Sequence, residues 1–112
     1  MTEDEWLDGL RGLPDDMILK LHFGLQEKIK KYYKLSDTGD NLQKAIHSCQ
    51  QQIALAPLAM KALKNNPAMY NESEFFTPSH HGYRQYAIIL KKRKEFDKLA
   101  EFLNKKEREG WA

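Results

Sequence analysis

Apolar residues in this chain recur at three- and four-residue intervals over most of its length, the spacing that gathers them on one side of a helix. Trp6, Leu7 and Leu10 predict a short helical arm over residues 3–10, with acids at its start, where the helix dipole favours them. Gly9, Gly12 and Pro14 then interrupt the pattern. Pro14 suits the first turn of a new helix, and Ile18, Leu21, Leu25, Ile29 and Tyr32 make 14–35 the best-patterned segment. Residues 36–39 read as a loop. Asp40 is placed to cap a second long helix, with Gln43 as the returning partner of a capping box. Its inner face would hold Leu42, Ala45, Ile46, Cys49 and Ile53, until Pro57 removes a donor and is expected to force a kink or a restart as a short third helix over 57–63.

Asn65, Asn66 and Pro67 form a stop signal. The following loop, to residue 78, carries Met69, Tyr70, Phe75 and Phe76 and is expected to pack down on the core. Ser79 is the predicted cap of a helix with Tyr83, Tyr86, Ala87 and Leu90 on its inner side. After the basic run from Lys91 to Lys94, the pattern resumes at Phe96, Leu99, Ala100 and Leu103, and Gly110 closes that last helix. The expected fold is all-α: helical hairpins in a short stacked array or a small helical bundle. Within one domain, 1–112, it divides into an arm (1–13), a first hairpin (14–57), a short helix and loop insertion (58–78) and a second hairpin (79–112).

Length and composition narrow the function classes. At 112 residues the chain has room for one core and not for two lobes around a cleft. Only 6 Gly and 4 Pro are present, which favours helices over a turn-rich sandwich. The single Cys cannot form an internal disulfide or a zinc ribbon, and suits a reducing cytoplasm. Apolar runs are too short for a membrane span, and the acidic start does not resemble a signal peptide. The formal charge of +2 hides an asymmetry: residues 1–16 hold six acids and one Arg, while 84–109 hold nine bases and five acids.

The two hairpins resemble each other. Tyr32, Tyr33, a turn through Gly39, then Leu42, Ala45, Ile46, Cys49, Ile53 and Pro57 run parallel to Tyr83, Tyr86, Ala87, Leu90, a turn at 92–95, then Phe96, Leu99 and Leu103. This pattern resembles the tetratricopeptide repeat, a helical hairpin with an aromatic, a large-small pair and another large residue on its first helix. Lys94 stands where that family usually has a turn Gly, Leu99 replaces its small crossing residue, and residues 58–78 interrupt its period. The resemblance implies peptide binding on the outward face of each first helix. By position that face is Gln26, Lys30, Tyr33 and Lys34 from one hairpin, and His81, Arg84, Ile88, Lys91 and Lys92 from the other.

The implied function is therefore a non-catalytic interaction module or adaptor, whose cationic groove receives an acidic segment of another protein or of this chain's own arm around Glu3 to Asp8. The alternative is a small nucleic-acid-associated factor using the basic C-terminal hairpin, which the mixed charge of residues 95–108 disfavours. Catalysis and cofactors are not expected. Two adjacent histidines, His80 and His81, fall short of a metal ligand set, and they read instead as helix-start residues, one against the Phe75-Phe76 loop. Cys49 lies on an apolar stripe, and no Gly-rich phosphate loop occurs. Asn71-Glu72-Ser73 is a formal glycosylation sequon without meaning in a cytoplasmic chain. Trp6 and Trp111, near the two ends, would each cap the core or bury themselves in a second copy of the chain as a homodimer.

Overall fold

The computed structural model describes residues 2–112 and is 73% helical. Its helices are α1 (Glu3–Leu10), α2 (Asp15–Lys34), α3 (Asn41–Lys64), α4 (His81–Lys92) and α5 (Phe96–Glu109). Between α3 and α4 come a 3-10 turn (Pro67–Met69) and a two-stranded antiparallel hairpin, β1 (Tyr70–Asn71) with β2 (Glu74–Phe75).

α3 is the axis of the molecule. It packs against α2 along its length, against α4 on another side, and against α1 and the start of the hairpin segment. A helix with so many neighbours must be apolar nearly all round. Buried residues run from Ala45 to Leu63, and what solvent sees is one stripe: Gln43, Lys44, His47, Gln50, Pro57, Lys61 and Lys64. This explains why the expected break at Pro57 does not occur. Pro57 is exposed and lies in that stripe, so the Ile53 carbonyl left without an N–H partner faces the wet side of the helix. The short helix expected over 57–63 is the last third of α3, whose Ala59, Met60, Ala62 and Leu63 are core residues.

Two other caps differ from expectation. Asp40 makes no side-chain cap bond and instead lies 3.5 Å from Lys44 Nζ, so the capping box with Gln43 does not form. The turn is closed by Asn41, whose amide donates to the carbonyls of Leu35 and Thr38. α4 is capped by His80 and not by Ser79. Gly110 does end α5, at φ 90°, with Gly110 N–H donating to the Glu107 carbonyl and Trp111 N–H to that of Lys106. Those two bonds form the Schellman pattern, which turns the chain back towards the core.

The core has two parts. The larger joins Ile29, Ile46, Cys49, Ile53, Met60, Tyr83, Tyr86, Leu90 and Trp111; the smaller joins Ile18, Leu25, Leu55 and Ala62 with Trp6 and Leu10 of the arm. Met69 and Phe75 pack against the larger part as expected of an aromatic loop, whereas Phe76 is 70% exposed. The inner face of α5 is displaced from the expected one. Leu99 and Phe102 turn inwards, Phe102 lying 5.1 Å from the Tyr86 ring, while Phe96, Ala100 and Leu103 are exposed.

Candidate functional site

The face assigned to peptide binding is formed where α2 and α4 run beside each other. Lys92 Nζ donates to Tyr33 Oη at 2.9 Å and sits 5.6 Å from the centre of that ring, which joins the two helices at one end of the face. The hydroxyl raises the ammonium's pKa, so Lys92 stays charged. At the other end, burial together with the charges of Lys30 and Arg84 lowers the pKa of His81, with Glu27 opposing them. Lys30 of α2 and Arg84 of α4 are thus the cations whose charge reaches His81. Lys30, Lys34, Arg84, Lys91 and Lys92 are exposed, as is Ile88, whereas Gln26, Tyr33 and His81 are half-buried. Glu27 lies 3.7 Å from Lys30, the only carboxylate paired with a cation of this face among the described residues.

The acidic arm does not occupy this face. α1 lies against α3, with Trp6 beside His47, Gln50, Gln51 and Ala54 around a recess of about 280 Å³. The ion pair of Arg11 with Asp8 is local to the arm.

Behind the face lies a polar core that the apolar pattern did not disclose. Gln52 is fully buried and tied on two sides: its Nε2 donates to the His22 carbonyl at 3.0 Å, and its Oε1 accepts from Gly82 N–H at 2.8 Å. His80 Nε2 is 3.1 Å from the Gln52 carbonyl, while His80 Nδ1 accepts from Tyr83 N–H at 3.0 Å. One nitrogen must be an acceptor to cap the helix, so the other carries the proton and donates, and the ring is neutral. Burial, reinforced by His22, pushes the His80 pKa down to about 3, and burial pushes that of His22 down to about 4. Trp111 closes the cluster, stacked 5.8 Å from His22 and edge-on 4.7 Å from His80. His80 thus meets His22, Tyr83 and Trp111.

This cluster sets the position of the cationic face. Gly82 allows the close approach: a Cβ there would stand 2.7 Å from Gln52 Oε1 and 3.0 Å from His80 Cε1. The Gly82 and Tyr83 amides are bonded to Gln52 Oε1 and His80 Nδ1, and the Arg84 amide to the His80 carbonyl. A signal for Gln52 existed in the sequence, since it continues the spacing of Ala45, Cys49, Ala56 and Ala59 and is a polar residue at a core position. His22 likewise lies between Ile18 and Leu25 on the inner face of α2. The Cys49 thiol is buried and pushed up to about 12, so it is not ionised at neutral pH.

No group of three or more His, Cys, Asp or Glu side chains that could hold a metal ion occurs among the described residues. None of their helices is long and apolar enough to cross a membrane. Compared with protein-family models, with curated proteins and with solved structures, the chain matches none. What the fold defines is a small all-helical protein with five helices among the described residues.

Proposed function

We propose that this chain is a non-catalytic interaction module that binds an acidic peptide segment along the joint face of α2 and α4. The observation that carries the reading is the bond from Lys92 to Tyr33, which joins two adjacent helices that both expose cations, Lys30 and Lys34 on α2 and Arg84, Lys91 and Lys92 on α4. Among the described residues only Lys30 of these exposed cations has a carboxylate within ion-pair distance, Glu27, and a carboxylate-rich ligand would supply partners for the others. Local packing in the manner of the tetratricopeptide repeat agrees with this use of the first helices. α2 and α4 are neighbours, each followed by its hairpin partner, and Lys94 adopts a left-handed φ of 60° where the repeat usually has Gly. A cytoplasmic setting suits the single reduced thiol.

The test is titration of a labelled, Glu-rich peptide against the full chain and the variant R84E/K91E. Both residues are exposed, so the variant should fold. Binding by the wild type that falls by about two orders of magnitude in the variant supports the reading, since two reversed contacts each cost roughly 1–2 kcal/mol. Equal affinity for the two proteins overturns it.

A further inference from the structure

We propose that the outward side of α2 is a docking surface for an amphipathic helix of a partner protein, whose apolar residues seat over Met17, Leu21 and Gly24 and whose carboxylates lie along Lys28 and Lys31. α2 buries Ile18, His22, Leu25 and Ile29. A second set, Met17, Leu21, Gly24, Lys28, Lys31 and Leu35, recurs at alternating intervals of four and three residues, the spacing by which one helix presents a seam to another. All of these are exposed except Leu21, which is half-buried. The seam runs on the side of α2 opposite Gln26, Lys30 and Tyr33, so it is separate from the face shared with α4.

Gly24 sets how close the partner comes. Glycine in the middle of a 20-residue helix weakens it, and the backbone here is ordinary right-handed helix. A Cβ at Gly24 would meet nothing within 4 Å, so no contact inside this chain asks for its absence. The missing side chain leaves a recess of about 420 Å³, lined by Leu13, Met17 and Leu21 with Lys20 and Lys28. Such a gap in a helix seam takes a large apolar side chain from a facing helix. Charge selects the partner's chemistry and direction. Lys20, Lys28 and Lys31 have no carboxylate within ion-pair distance among the described residues. Glu27, one turn before Lys31, lies 3.7 Å from Lys30 instead. In the turn after α2, Asp37 acts on the charge of Lys92 and Asp40 lies 3.5 Å from Lys44. Asp15 and Asp16 stand in the first turn of α2, Asp16 one turn before Lys20. The apolar half of the seam thus begins beside acids and the other half carries cations, so a helix with carboxylates at one end fits in one direction.

Fluorescence titration of the full chain tests this, with a synthetic helical peptide of about 20 residues whose seam has Leu in its first half and Glu in its second. The wild type should bind it, and K28E/K31E should bind at least about tenfold more weakly, through the reversal of two charge contacts. G24L fills the recess with a better helix former and has room to do so, so it should raise the melting temperature and yet lose about tenfold or more in affinity. A misfolded variant cannot give that pairing. R84E/K91E should bind nearly as the wild type does, which separates this surface from the joint face of α2 and α4. No binding by the wild type, unchanged affinity in K28E/K31E or in G24L, an equal loss in R84E/K91E, or tighter binding to phosphatidylserine vesicles than to the peptide overturns the proposal.

Discussion

At the scale of single residues, the main finding is a set of buried polar side chains whose protonation the fold dictates. His80 can cap α4 only while its Nδ1 is an acceptor. Above pH 6.5, the ordinary value, His22 and His80 are mainly neutral whether folded or not. Below it the unfolded chain takes up protons that the folded one refuses until about pH 4 for His22 and about pH 3 for His80. Stability is therefore full above pH 6.5 and falls as the pH drops, by about 1.4 kcal/mol per unit for each ring. Urea midpoints between pH 6.5 and 5 should show that slope in the wild type and about half of it in H80N, where Asn keeps a capping oxygen without titrating. A midpoint independent of pH over that range would contradict the arrangement. These residues were hard to read in the sequence because a lone His or Gln on an apolar stripe looks the same whether bonded inside or turned outwards. The partner that decides between them, Gln52 to His22 and Gly82, is thirty residues away.

At the scale of elements, periodicity placed the helices well and their ends less well. α2 and the end of α5 at Gly110 follow local signals, since Pro14 and a glycine at positive φ act through their own backbone. Pro57 was misleading because its effect depends on what surrounds the helix. In an isolated segment it ends the pattern, whereas here the helix runs on through it, with core residues on both sides. Replacing it should restore the bond to the Ile53 carbonyl. P57A is expected to stabilise the protein by about 1–2 kcal/mol, the regained helix bond being partly offset by a freer unfolded chain. Thermal unfolding measures this, and a lower melting temperature would show that α3 needs the proline for its course. α5 shows the opposite case: its apolar residues allow two inner faces, and docking on Tyr83 and Tyr86 selects the one with Leu99 and Phe102.

At the scale of the whole molecule, Trp111 completes the core that positions the candidate site. Trp111 is 5% exposed against His22 and His80, and Ala112 N–H donates to the Pro78 carbonyl at 2.8 Å, tying the end of the chain to the approach to α4. W111A should cost about 3–5 kcal/mol, the usual range for removing a buried large aromatic. Equilibrium unfolding would read it, and a loss under about 1 kcal/mol would mean that the ring is not part of the core. The sequence by itself determined the helical class, the hairpin order, the acidic arm and the basic C-terminal half, because helix propensity, spacing and charge act over a few residues. Only the tertiary structure decided that α2 and α4 stand side by side, that the arm lies on α3 away from the cationic face, and that a Gln and two His hold that face in place. Those outcomes depend on which surfaces meet across tens of residues, and a three- to four-residue periodicity carries no record of the partner.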